Sequence, residues 1–276
     1  QLSLNTIQKD FYILRLMAKK AGKSVGLRIN PECSTQEGHA IYDPCAPGSR
    51  LGILVSEFPE TLPSYVEGLH FHTLCEQNAD ALEITLKAVE EKFGKWMKQL
   101  KWVNFGGGHH ITRADYDREL LISCVRRIQD TYNVQVYLEP GEAVALNAGH
   151  LITTVEDIVH NDIAVLDVSA ACHMPDVIEM PYRPPLFDSG EAKEKEYTYL
   201  LGGPTCLAGD VIGSYSFDQP LKVGDRLTFG DMAIYTTVKN NTFNGMRLPD
   251  IVWERESGEC EIVKSFGYED FKCRLS

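Results

Sequence analysis

The amino-acid sequence predicts part of an α/β barrel of the (β/α)8 kind, followed by a mostly antiparallel β domain. Three observations carry this. Through the first half of the 276 residues, to about Leu146, apolar stretches of strand length alternate with stretches of helical period. Beyond Leu146, short strand-like runs follow one another with turns, not helices, between them. The strand-like runs of the first half end on polar residues or glycines, and a parallel barrel places its chemistry at its C-terminal strand ends.

Asn5 to Ala21 has Ile7, Phe11, Leu14 and Met17 on one helical face. Val25–Asn30 (VGLRIN) is a strand stopped by Pro31, and residues 31–50 form a polar loop rich in Gly, Pro and Ser. Gly68–Thr73 (GLHFHT) is the next strand. In the helix after it, Leu82, Leu86, Val89, Phe93, Trp96 and Leu100 step by four and three. Trp102–Phe105 is a third strand running into GGGHH. A helix from Thr112, with Asp115 in near capping-box position, leads to a fourth strand, Val134–Glu139. The later strands are Leu151–Val159, Ile163–Val168, Glu196–Leu201, Arg226–Phe229, Ile251–Glu254 and Glu261–Lys264, with a proline-rich loop at Pro181–Asp188. Four βα units do not close a barrel, which takes ~250 residues in all. The expectation is therefore the C-terminal half of a barrel over residues 1–146, its first strands absent and lying upstream, and a β domain over 147–276.

The bulk properties narrow the function. At 43% hydrophobic and 24% charged, the composition is that of a globular protein, and no apolar run approaches the ~20 residues of a membrane helix. A net charge of −12 argues against nucleic acid or an anionic membrane as partner and suits a cationic ligand. Eight scattered cysteines without a C-x-x-C pair read as reduced cytoplasmic thiols. His70, His72 and Cys75 lack zinc-like spacing, so no metal site is expected.

The strand ends carry the chemistry: Arg28, His72, Gly106 to Gly108, and Glu139. Three successive glycines let backbone N–H groups approach an anion such as a phosphate. His72 offers a flat ring for stacking on an aromatic ligand. Glu139 closes a strand, and a carboxylate there needs a partner, such as a protonated ring nitrogen. Pro140 and Gly141 then turn the chain so that the Gly141 N–H faces the same ligand. A phosphate cradle, a stacking ring and an acid for a ring nitrogen together describe pyridoxal 5′-phosphate, whose ring takes up electrons best when its nitrogen is protonated.

In order and spacing, GLRINP (26–31), SRLG (49–52), HFHTLCE (70–76), FGGGHH (105–110), YLEPGEA (137–143), ACHMPD (171–176), GGPTCLAGD (202–210) and YTTVKNNTFNG (235–245) resemble the fold-type III pyridoxal-phosphate decarboxylases. That family shares the alanine racemase barrel plus a β domain. Within it the likeness is to the branch that decarboxylates carboxynorspermidine or carboxyspermidine to norspermidine or spermidine in polyamine biosynthesis. The resemblance implies that His72 stacks on the cofactor ring and Glu139 bonds its nitrogen. It implies that Gly106, Gly107, Gly108, Gly141 and the Tyr235 hydroxyl hold the phosphate, with Arg28 near the ring. It makes Cys206 the residue that reaches into the partner subunit's site and reprotonates the product carbon. Asp210 would contact the distal amine of the substrate, with His173 and Asp176 in the substrate-recognition loop, and the enzyme would be a homodimer with shared active sites. Glu142 stands where relatives acting on ornithine, lysine or diaminopimelate have an arginine on the phosphate, and its expected role is to accept an amine-rich substrate. The family's Schiff-base lysine belongs on an early barrel strand, and no lysine here sits in that context; it is expected upstream. The rival readings are a diaminopimelate-type decarboxylase and a non-catalytic homologue that has lost its lysine.

Overall fold

The computed structural model describes the backbone of residues 2–4, 11–36 and 40–275, and the side chains of residues 16–36 and 41–275. The chain divides into two compact units, Gln1–Val144 and Ala145–Ser276.

The first unit is built on a five-stranded sheet: β1 (Leu2–Leu4), β2 (Val25–Arg28), β3 (Val66–His70), β4 (Trp102–Asn104) and β5 (Gln135–Tyr137). Every neighbouring pair is parallel and the spatial order is the chain order, as in a barrel wall built from successive βα units. β1 was not expected from the sequence, because three residues leave no period to read. The other strands are shorter than predicted: β3 ends at His70 and β5 at Tyr137, so His72 and Glu139 lie just past their strands.

Three helices return the chain between strands: α1 (Phe11–Lys20), α2 (Ala79–Met97) and α3 (Arg118–Tyr132). The predicted first helix begins earlier, and its Ile7 lies outside the described residues. The side chains of Phe11 and Leu14 also lie outside the described residues; of those described in α1, Ala18 is buried and Met17 is 61% exposed. α2 follows its pattern: Leu82, Leu86, Val89 and Phe93 are fully buried, and the Asn78 side chain caps it by accepting from Ala79 N at 2.7 Å. α3 starts six residues later than expected, at the cap made by Asp117, which accepts from Leu120 N at 2.9 Å. Thr112 instead donates to Ala143 O at 2.6 Å, which keeps residues 112–117 out of the helix.

Side chains alternate across a sheet. Leu27, Leu69 and Val103 point to the face that packs on the helices and are at most 1% exposed. On the other face the register aligns Gly26, Gly68 and Trp102, then Arg28, His70, Asn104 and Tyr137. The Trp102 indole lies across both glycines, where any Cβ would overlap it, and its Nε1 donates to Ser24 Oγ at 2.8 Å.

The second unit holds a sheet in the order β10-β6-β7-β8-β9, from β6 (Leu151–Val159), β7 (Ile163–Leu166), β8 (Tyr197–Gly202), β9 (Val211–Phe217) and β10 (Arg226–Phe229). Its pairs are antiparallel except β7 with β8. β9 escaped the sequence reading because VIGSYSF breaks its apolar run with Gly and Ser. Short helical turns α4 (Gly141–Ala145), α5 (Ala170–His173), α6 (Asp176–Glu179) and α7 (Tyr235–Lys239) punctuate the chain. A hairpin of β11 (Ile251–Glu254) and β12 (Cys260–Lys264) and a last turn, α8 (Tyr268–Lys272), follow. Among the described residues no helix is long and apolar enough to cross a membrane.

Gly68→Ala should destabilise the protein by about 1–3 kcal/mol through overpacking against Trp102. Trp102→Leu should restore much of that loss in the double variant. Denaturant unfolding of the three variants checks this; additive losses would contradict it.

Candidate active site

Parallel register brings the site together before any side chain is considered. Arg28, His70, Asn104 and Tyr137 are neighbours across four strands, and the residues two further on, His72, Gly106 and Glu139, form the next layer toward the strand ends. The ligand-type atoms of His70, His72 and Glu139 all lie within 4.8 Å of one another.

Glu139 is the exposed member, with its side chain 51% accessible. One carboxylate oxygen, Oε1, accepts from Asn104 Nδ2 at 2.8 Å. Asn104 is buried, and its own Oδ1 accepts from Gly106 N at 2.9 Å. The other carboxylate oxygen stands 3.6 Å from His70 Nε2, beyond hydrogen-bond length. Burial pushes the His70 imidazole down to about 4, against the opposing pull of Glu139. An unprotonated His70 leaves the negative charge of Glu139 for another cation.

His72 accepts from Gly107 N through Nδ1 at 3.3 Å, which fixes that nitrogen as the unprotonated one. Burial, then the nearby Arg28, lowers its pKa. Arg28 is half-buried, with Nη2 3.5 Å from His72 O.

The glycine loop is tight for a reason the sequence did not reveal. A Cβ on Gly106 would strike Phe71 O and His72 Cα, and one on Gly108 would strike the Leu74 carbonyl group. Both have positive φ, +72° and +82°. A Cβ on Gly107 would fill the space between His72 Cε1, at 3.0 Å, and Glu139 O, at 2.7 Å. Close approach of chain to chain therefore demands these glycines, whatever ligand they face, and two of their N–H groups are bonded to Asn104 and His72. Gly141 meets nothing within 4 Å of its would-be Cβ and opens α4. Next to it, Glu142 Oε2 lies 3.4 Å from Nε2 of buried His110.

The predicted residues of the second unit have internal partners. Asp210 is only 3% exposed and accepts from Ser169 Oγ at 3.0 and 2.9 Å, Ala171 N at 3.2 Å, Thr205 N at 3.3 Å and Thr205 Oγ1 at 2.6 Å. In this structure the carboxylate is therefore spent on holding the 202–210 loop. His173 also has internal partners. It is buried, its Nδ1 accepts from Ser169 N at 3.1 Å, and its Nε2 donates to Arg247 O at 3.0 Å. Asp176 forms a close ion pair with Lys239, which also binds Glu179 at 2.6 Å. Cys206 is exposed on the loop that Asp210 holds, and Tyr235 is 57% exposed at the start of α7.

Sequence reading missed Asn104, Ser169 and Thr205, and considered His70 and His110 only as zinc ligands. His70 and Asn104 had a signal, since each shares strand parity with a residue that was singled out, His72 and Gly106. Ser169 had none, because its partner Asp210 lies 41 residues on; Thr205 lies near Asp210 in the chain, but no local pattern marks the bond.

A family model described as "Pyridoxal-dependent decarboxylase, C-terminal sheet domain" matches residues 11–233. The chain belongs to this pyridoxal-dependent decarboxylase family. It is 48% identical to the carboxynorspermidine/carboxyspermidine decarboxylase of Campylobacter jejuni, over 94% of this chain and 71% of that protein. It is 44% identical to the carboxyaminopropylagmatine decarboxylase of Synechocystis, over 93% of this chain and 67% of that protein. The crystal structure of the Campylobacter jejuni carboxynorspermidine decarboxylase complexed with norspermidine superposes with a TM-score of 0.87 at 45% identity, covering 99% of this chain and 74% of that one. The family's cofactor is pyridoxal phosphate, and the strand-end set fits it: an exposed carboxylate aimed by an amide, a histidine ring beside it, and a glycine at the point a side chain would fill. Decarboxylases of this family have a barrel with an added sheet domain, so both the five-stranded parallel sheet and the sheet of the second unit have their place.

Burial holds His70 and His109 neutral, each with its pKa lowered from 6.5 to about 4. Between those values the unfolded chain binds more protons, so stability is full above 6.5 and falls as the pH drops toward about 4. Imidazole NMR should find both rings unprotonated in mildly acidic solution, and His109→Asn should flatten the loss of stability with acid. Titration of either ring near 6.5 would contradict this.

Proposed function

We propose that this protein is a pyridoxal-phosphate-dependent decarboxylase of carboxylated polyamines. It releases CO2 from carboxynorspermidine or carboxyspermidine to give norspermidine or spermidine. The observation that carries this is the grading of the relatives: 48% and 35% identity to two carboxynorspermidine/carboxyspermidine decarboxylases, against 26% to a diaminopimelate decarboxylase. The 44% identical relative acting on carboxyaminopropylagmatine supports the same substrate class, a carboxylated aminopropyl amine.

Bound pyridoxal phosphate supplies the electron sink for the pair left when the bond to CO2 breaks. The chain's own part is positioning. Glu139, aimed by Asn104, holds a proton on the ring nitrogen, and neutral His70 beside it does not compete for the charge. His72 offers its ring face, with Arg28 behind its carbonyl. The phosphate is assigned, by the resemblance, to the Gly106–Gly108 loop, Gly141 and Tyr235, although Gly106, Gly107 and Gly141 spend their N–H groups within the chain here, Gly141 on Glu139 O at 2.8 Å. Cys206 is assigned the return of a proton to the product carbon, from a neighbouring subunit of a cytoplasmic homodimer with shared sites. These last assignments rest on the resemblance.

The Schiff-base lysine is a role that the lysines near β2 do not fill. Lys19, Lys20 and Lys23 are exposed at the end of α1 and in the turn leading into β2, at the opposite end of the sheet from His70 and Asn104. Lys92 and Lys101 are paired with Glu32 and Glu67. We place the lysine outside the described residues, on a strand preceding those that carry Arg28 and His70.

The intact protein, supplied with cofactor, should release CO2 from carboxynorspermidine or carboxyspermidine much faster than from diaminopimelate. The reverse preference would overturn the substrate reading. Glu139→Gln should lower kcat by about 100-fold with little change in KM, because the carboxylate acts on charge that develops during the reaction. Asn104→Asp sets a second carboxylate against Glu139 and should cost more than Asn104→Ser.

A further inference from the structure

Glu142 poses a problem of charge. Resting on the cofactor reading above, the Pro140–Glu142 turn and the glycine loop both border a phosphate, and a carboxylate in that turn repels an anion. The structure shows where its charge goes. Glu142 sets Oε2 3.4 Å from Nε2 of His110, with the two side chains 23% and 7% exposed.

His110 is anchored to the glycine loop. Its backbone N donates to Gln77 O at 3.4 Å, and Gln77 N donates back to Gly108 O at 3.0 Å. The imidazole therefore rides on the same piece of chain that carries Gly108. Two residues on, Thr112 Oγ1 donates to Ala143 O at 2.6 Å. The turn that opens α4 is thus tied to the segment after the glycine loop at two successive points, by a close carboxylate–imidazole approach and by a hydroxyl. Both ties lie within the first unit.

We propose that Glu142 and His110 form a latch that fixes the Gly141 turn against the Gly106–Gly108 loop, so that the two backbone segments hold the cofactor phosphate together. Glu142 is then a positioning residue and not a substrate contact. Its carboxylate is spent on the histidine that rides on the glycine loop. Glu76, whose carboxylate lies within 4.8 Å of the other two groups, is exposed and adds negative charge to the His110 side of the latch.

The test separates this role from substrate binding and needs no turnover. The intact protein is stripped of cofactor and titrated with pyridoxamine 5′-phosphate, which binds without forming a bond to lysine, and in parallel with pyridoxamine, which lacks the phosphate. Glu142→Gln and His110→Asn should each weaken pyridoxamine 5′-phosphate by about tenfold, the scale of one buried charged contact. Pyridoxamine affinity should stay within about twofold. The double variant should be no weaker than the singles, because the two residues act as one unit. Glu142→Asp keeps the charge but falls a methylene short, and it should behave as Gln does; thermal melts confirm that these variants fold. Equal affinity of wild type and Glu142→Gln for pyridoxamine 5′-phosphate, or a raised substrate KM with that affinity unchanged, overturns the latch. If the wild type itself does not distinguish pyridoxamine 5′-phosphate from pyridoxamine, it is the phosphate assignment that fails.

Discussion

One buried amide, that of Asn104, holds the candidate site in register. Its oxygen takes the N–H of Gly106 and so shapes the exit from β4; its nitrogen gives a hydrogen bond to Glu139 and so aims the acid beyond β5. No other side chain of similar size does both. An aspartate has no donor for Glu139, and a leucine has neither group. The geometry requires parallel strands paired without a slip, because a shift of one residue would turn Asn104 toward the helices and Val103 toward the site. The apolar packing of Leu69, Val103, Leu82 and Leu86 on the helical side is what forbids that slip. Stability and chemistry are in this sense the two faces of one sheet.

The second unit is organised around a different buried polar group. Asp210 gathers Ser169, Ala171 and Thr205, and Ser169 in turn gives its backbone N–H to His173. A buried carboxylate is tolerable when its lone pairs are filled in this way. The result is a rigid collar around residues 202–210 from which Cys206 projects into solvent.

Much of the architecture was legible in the residues, for reasons that differ by element. α2 was clear because nineteen residues repeat its apolar stripe several times, and β6 and β10 because short turns bracket them. β1 and β9 were not, one being too short and the other interrupted by Gly213 and Ser214. Among the site residues, Glu139 and His72 were legible as polar groups at the ends of apolar runs. The glycine triplet was legible as a tight loop, though its tightness is set by Leu74 and His72 as much as by any ligand. The internal bonds of Asp210 and His173 were not legible, because a motif shows which residue is present and not which way its bonds are spent. Pairings over long separations, Ser169 with Asp210 and His173 with Arg247, leave no mark in a single sequence.

The central claim is that Glu139 keeps a pyridine nitrogen protonated. The most direct measurement is the 15N chemical shift of ring-labelled pyridoxamine 5′-phosphate bound to the intact protein in mildly alkaline solution. The account predicts a protonated ring nitrogen in the wild type and an unprotonated one with Glu139→Gln. An unprotonated nitrogen in the wild type, or a shift that the substitution leaves unmoved, would contradict it.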